Sequence, residues 1–405
     1  MNEKVKPGYK QTEVGVIPEA WEVCRLDSLG AGAAPAIKAG PFGSSLTKDT
    51  YIRSGYKVYG QEQVIRGDYL FGDYYISPRK YRELESCAVS PGDVLLTLVG
   101  TAGKLLVVPN DAPSGVINPR LVRFSFDKKR VCPHYFKDLF EAGQMQSFLA
   151  RSAQGGTMGV LNAGMLRPIS IALPLLPEQR AIAGALSDVD ALISALDQLI
   201  TKKRNLKQAA MQQLLTGQTR LPGFHGEWEL KLFGAVFNVT AGGDFNPSHS
   251  SSIHNEKYCC PIYSNAITEK GLYGFCSYSD NDADSITVTA RGTLGVANYR
   301  DHKYTAIGRV LVLEPKEPVD GRFFSEFINN RIDFVIESTG VPQLTSPQIS
   351  KYTLPVPSLP EQTAIAKVLS DMDVELSSLE SRRDKTRALK QGMMQELLTG
   401  RTRLI

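Results

Sequence analysis

At 405 residues the chain is too long for one ordinary core and predicts two or three domains. A hydrophobic content of 42% with 22% charged residues is that of a globular protein and excludes disordered, collagenous and membrane-spanning classes. The formal net charge of +4 permits nucleic-acid binding without demanding it.

In chain order, the opening Met1-Asn2-Glu3-Lys4-Val5-Lys6 has no apolar signal core, so the expected compartment is the cytoplasm. A small-residue loop flanked by lysines follows, from Lys38 to Lys48, and then a basic cluster, Arg79-Lys80-Tyr81-Arg82. The most apolar stretch, Val94 to Val108, is broken by Gly100, Thr101, Gly103 and Lys104, and so reads as strands around a turn, not a membrane span. A helix is expected over Pro133 to Arg151, and a proline-punctuated strand over Ile169 to Pro174. The six cysteines form no CxxC pair and read as free, mostly buried thiols. The five histidines lack zinc-site spacing, which predicts no metal. Gly100 to Lys104 is too short for a P-loop, and Leu105 stands where that loop needs Ser or Thr. The adenine methyltransferase signature NPP[YF] is absent, so no catalytic residues are assigned.

The chain is written twice. The segment from Leu176-Pro177-Glu178-Gln179 to Leu221 returns, without a gap, from Leu359-Pro360-Glu361-Gln362 to Leu404. Roughly six positions in ten are identical. Each copy predicts a long helix: proline in the first turn with an acid after it, an interior of Ala, Leu, Gln, Lys and Glu, and Gly217 or Gly400 at the end. Apolar residues at Ile182, Leu186, Val189, Ile193, Leu196 and Ile200, and at Ile365, Leu369, Met372, Leu376 and Leu379, alternate steps of four and three. Such a seam requires a partner helix, and the other copy is the obvious one. Beyond Ile200 and Leu379 the seam gives way to Lys202, Lys203, Arg204, Arg382, Arg383 and Lys385, where the pair is expected to splay or meet another protein. Ahead of the helices, Gln11-Thr12 precedes Trp21-Glu22 at the spacing that separates Gln218-Thr219 from Trp228-Glu229. Both halves also carry a Gly-Thr-x-Gly turn, Gly100 to Gly103 and Gly292 to Gly295. The division follows as a domain over 1–175, a helix over 176–217, a domain over 218–358 and a helix over 359–405.

With LPEQ, LTGQTRL/LTGRTRL, TEVGVIPEAWEV and GFHGEWEL, this arrangement resembles the specificity (S) subunit of type I restriction-modification enzymes across essentially the whole chain. The resemblance implies an α+β fold class: two α/β-mixed target recognition domains, separated by two long helices in an antiparallel coiled coil with an internal pseudo-twofold repeat. It implies a non-catalytic subunit that reads a bipartite, asymmetric site on double-stranded DNA, one half per domain. Two methyltransferase subunits would dock on the helices, and motor-nuclease restriction subunits would join through them. S-adenosylmethionine would be held by the methyltransferase, with no cofactor in this chain.

For phosphate contacts in the first domain, the residue types point to Lys38, Ser44, Ser45 and Lys48. Arg79, Lys80 and Arg82 are candidates for guanine edges, and Arg151, Gln154 and Thr157 for a close backbone approach with adenine readout. The second domain offers Asn246, Ser248, Asn265, Arg291, Arg300, Lys303 and Gln343.

Overall fold

The computed structural model describes the chain apart from residues 1–4, 33–34, 144, 148, 150–160, 245, 309, 336–341 and 405. It divides into two compact units, Met1–Ala195 with Arg382–Ile405, and Leu196–Ser381. The division falls inside the long helices, so each unit joins one globular head to a stretch of both helices.

In the first unit, β1 (Tyr9–Thr12) and β2 (Gly15–Pro18) form a hairpin, and β3 (Glu22–Arg25) follows. The head then lays down β4 (Ile37–Ala39), β5 (Tyr56–Tyr59), β6 (Tyr75–Ile76), β7 (Ala88–Val89), β8 (Val94–Thr97), β9 (Leu105–Val107), β10 (Gly115–Ile117) and β11 (Leu121–Phe124). These make two four-stranded sheets ordered β4-β11-β8-β9 and β6-β5-β10-β7. Every residue of β8 is buried, as a short apolar run bounded by turns requires of a strand covered on both faces. The helix Pro133–Glu141 starts on a proline and packs Phe136 and Phe140, with ring centroids 4.4 Å apart, against Phe124. β12 (Ser170–Leu173) returns to pair antiparallel with β3 and leads into the first long helix.

The second unit repeats the plan. β13 (Glu229–Leu232) is followed by β14 (Phe237–Ala241), β15 (Ser250–Ser251), β16 (Cys260–Tyr263), β17 (Leu272–Cys276), β18 (Ser285–Thr289), β19 (Ala297–Arg300), β20 (Thr305–Ala306) and β21 (Val310–Pro315). The sheets run β14-β21-β18-β19 and β15-β17-β16-β20, and β22 (Thr353–Val356) pairs with β13 as β12 does with β3. Each second sheet holds one parallel pair, β5 with β10 and β16 with β20, so the runs β6-β5-β10 and β17-β16-β20 match, while the fourth strand lies on opposite edges, β7 beside β10 and β15 beside β17.

The long helices run Leu176–Leu214 and Leu359–Leu397. Each stops where Gly217 or Gly400 takes positive φ (68° and 72°), with the amides of Thr219 and Thr402 reaching back to the carbonyls of Gln213 and Glu396. Within each unit the helix stretches run antiparallel. In the first, Lys390 meets Asp190 at 2.6 Å while Leu397 and Leu398 share a core with Ile182 and Leu186. In the second, Lys207 meets Asp373 at 2.6 Å while Met211, Leu214 and Leu215 pack with Ile365, Ala366 and Leu369. Ile182, Leu186, Leu196, Ile200, Ile365 and Leu369 are buried, and Val189, Ile193, Met372, Leu376 and Leu379 half-buried. The basic residues beyond Ile200 do not splay the pair. Lys203 ion-pairs with Glu375 at 2.6 Å and Arg204 with Glu380, so opposite charge replaces apolar contact along that stretch.

The repeated sequence words meet at one locus in each unit. Glu178 is buried, accepts the Trp21 indole N–H at 3.0 Å and is gripped by the Arg403 guanidinium. Glu361 does the same with Trp228 at 3.2 Å and with Arg220. The neighbouring glutamines tie backbone: Gln179 donates to the carbonyls of Arg130 and Pro174 and accepts from the Cys132 amide, while Gln362 donates to Pro357 and accepts from the Asp320 amide. LPEQ, the tryptophan and the TRL arginine thus lock helix to head, with the arginine supplied from the end of a long-helix copy.

Candidate nucleic-acid interface

The loops that follow β4 and β14 leave equivalent points of the two heads. Gly40 donates to the Leu121 carbonyl and Gly242 to that of Val310, at the start of the equivalent strands β11 and β21. A Cβ at Gly40 would collide with the Asn118 carbonyl, and one at Gly242 with that of Ala306, so only glycine lets the chain pass so close. Past these glycines the sequences part: Pro41-Phe42-Gly43-Ser44-Ser45 in the first head, Gly243-Asp244 and then Asn246-Pro247-Ser248-His249 in the second. Ser44, Lys48, Asn246, Ser248 and His249 are exposed, Lys38 and Ser45 half-buried. The Asn246 side chain caps the Ser248 amide at 3.0 Å, which fixes the loop backbone.

Two sequence-selected loops therefore occupy one structural position. Phe42, which sequence reasoning passed over, stands 86% exposed at the tip of the first. An apolar ring between two glycines in a polar loop was the signal that could have found it.

A second shared feature is the Gly-Thr-x-Gly turn after β8 and β18. Thr97 and Thr289 organise it identically. The Thr97 hydroxyl donates to the Thr101 carbonyl at 2.6 Å and accepts the Lys104 amide at 3.0 Å. That of Thr289 donates to Thr293 at 2.5 Å and accepts from Val296 at 2.9 Å. A side-chain amide braces each turn: Gln61 donates to the Val99 carbonyl and Asn265 to that of Arg291.

Other candidates fare differently. Arg79 is exposed and pairs loosely with Glu83 at 3.4 Å; Lys80 is half-buried and meets the same carboxylate at 3.0 Å. Arg82 is exposed. Lys303 is exposed and faces Asp282 at 3.1 Å. Gln343 bridges Arg291 across an isolated strand contact beside the second turn. Arg151, Gln154 and Thr157 lie outside the described residues.

Two candidates require correction. Arg300 is buried, its guanidinium lying over the Tyr263 ring at 3.4 Å and donating to Thr287 and the Lys270 carbonyl; burial lowers its pKa. It braces the sheet and cannot reach a base. Asn265 spends its side chain on the amides of Ala290 and Arg291 and the Arg291 carbonyl, so it positions the turn and does not read a base. Among the described residues no group of His, Cys, Asp or Glu could hold a metal ion, and no helix is long and apolar enough to cross a membrane.

Comparison with known proteins gives a consistent answer. The family described as the type I restriction modification DNA specificity domain matches residues 18–205 and 225–386. A putative type I restriction enzyme specificity subunit of Methanocaldococcus jannaschii is 24% identical, covering 98% of this chain and 97% of its own. A further specificity subunit of the same organism is 22% identical over 96% and 94%. The crystal structure of a type I restriction-modification S subunit from M. genitalium superposes with a TM-score of 0.58 at 16% identity, covering 98% of each chain. The HsdS subunit of Thermoanaerobacter tengcongensis gives 0.52 at 15%, covering 95% of this chain and 98% of its own.

Proposed function

Because the chain belongs to the type I restriction-modification DNA specificity family, we propose that its two heads read the two unlike halves of one gapped, asymmetric target on double-stranded DNA. The observation that carries this reading is the pairing of a shared framework with unshared loops. The order of the first sheet, three strands of the second and the close glycine approach match in both heads, while the sequences after Gly40 and Gly242 have diverged. A common frame sets each head on the duplex alike, and unlike loops select unlike bases. The chain supplies selectivity, and the chemistry belongs to its partners.

Those partners are two methyltransferase subunits, which carry S-adenosylmethionine, with motor-nuclease subunits joining through them. What supports two methyltransferases is the duplication itself: long helices of closely related sequence offer the same kind of surface twice. Comparing genomic methylation in a host with the gene present and deleted, with the cognate methyltransferase expressed in both, tests the reading. Loss of one gapped, asymmetric methylated motif on deletion is expected; an unchanged methylation pattern would refute it.

A further inference from the structure

We propose that the Gly-Thr-x-Gly turn of each head, Gly100–Gly103 and Gly292–Gly295, is a seat for a phosphate of the DNA backbone; this rests on the DNA-specificity reading above. Two heads that read different targets keep this turn in common. A feature that reads bases has reason to differ between them, whereas a feature that meets the invariant part of every duplex has reason to stay. The loops after Gly40 and Gly242 differ; the turn persists with the same threonine brace and the same hydrogen bonds.

The turn's chemistry suits an anion. Its first glycines take φ of 69° and 75° and its last 85° and 80°, and successive backbone N–H groups in such turn conformations make anion-binding concavities. Among the described residues the amides of Thr101 and Ala102, and of Thr293 and Leu294, have no hydrogen-bond acceptor within the protein. Thr101 and Thr293 are exposed, and among the described residues a Cβ at Gly100 or Gly292 would meet nothing within 4 Å. Among the described residues nothing obstructs the face beyond either position, and glycine is needed there for its φ.

Basic side chains flank both turns. In the first head, Lys104 follows directly, and Arg120 stands beside it through the bond from the Leu98 amide to the Arg120 carbonyl at 3.0 Å. Both are exposed and without a carboxylate partner among the described residues. In the second head Arg291 immediately precedes the turn, its backbone fixed by Asn265. Free amides and an unobstructed first glycine recur at equivalent points of both units, and each turn has a cation beside it, Lys104 after the first and Arg291 before the second.

The test uses the complex with its methyltransferase subunit and two duplexes of equal length, one bearing the mapped motif and one with both half-sites scrambled. Lys104→Gln with Arg120→Gln is expected to weaken binding to both duplexes by about tenfold at moderate salt, and to flatten the dependence of log affinity on log salt by about one to two. Thr101→Glu and Thr293→Glu, which set a carboxylate in the seat, should weaken both duplexes further, whereas Thr101→Gln and Thr293→Gln should cost little. Thermal unfolding of each variant guards against misfolding. Unchanged binding by folded Glu variants would overturn the proposal, as would a loss confined to the motif duplex, because that would make the turn a base reader. Equal wild-type affinity for the two duplexes would instead fail the specificity reading; the phosphate seat fails only on the variant series.

Discussion

Substituting Glu178 by Gln keeps the shape of the clamp and removes its charge. The Glu178 side chain is 3% exposed and Arg403 33% exposed, so the carboxylate is shielded from solvent while its partner is partly screened. Removing one partner of a buried pair costs about 3–5 kcal/mol, and the exposure of Arg403 places this case near the lower end, about 3 kcal/mol. The Trp21 indole keeps an amide oxygen to donate to, so its bond is weakened but not orphaned. For a unit of this size that loss lowers its unfolding midpoint by roughly 6–12 °C. Differential scanning calorimetry of the complex would record it, and Glu361→Gln should have the same effect on the other unit. A cycle with Arg403→Met isolates the pair. Coupling below about 0.5 kcal/mol, or an unchanged transition in Glu178→Gln, would refute the assignment of the clamp as the lock between helix and head.

Other outcomes follow from the same physics. Asp138 is buried, which pushes its carboxyl up to about 7 against the opposing pull of Lys137 and Lys390. With its folded pKa above the unfolded value, its contribution is fully favourable below about pH 4 and is lost as pH rises through about 7; Asp138→Asn should therefore gain stability relative to wild type across that window in a pH series of melts. Arg300→Met should lower the melting temperature of the second unit while leaving the methylated motif unchanged, because the guanidinium is spent on Thr287, Lys270 and Tyr263; a changed motif in methylation mapping would restore Arg300 as a reader. Leu369→Ala, at a fully buried seam position, should cost about 2–5 kcal/mol in chemical denaturation, and Leu379→Ala, half-buried, clearly less.

The long helices were legible because periodicity and end signals are local: they begin one residue before Pro177 and Pro360 and end at Leu214 and Leu397, within a turn of Gly217 and Gly400 and short of the expected ends at 217 and 405. The heads were legible only as mixed strand and helix. Strands such as β10 and β20 are two or three residues long, and their parallel partners lie tens of residues away in sequence. Arg300 and Arg82 are both arginines in polar surroundings by sequence, yet one is buried on an aromatic ring and the other exposed; only the packing of β19 against Tyr263 tells them apart. Glu178, Trp21 and Arg403 were visible as repeated words, but nothing in their spacing revealed that an arginine near the end of the chain serves a tryptophan near its start.

That borrowing has a consequence for gene architecture. Each unit draws its tryptophan, its β-sheets and the acid of its clamp from one half of the sequence, and its clamping arginine from the other half. A gene carrying only one half would encode a product with its arginine and its glutamate in the wrong places to meet each other. Two such products could complete one another reciprocally, each lending its tail to its twin, and the resulting homodimer would favour an inverted-repeat target in place of an asymmetric one.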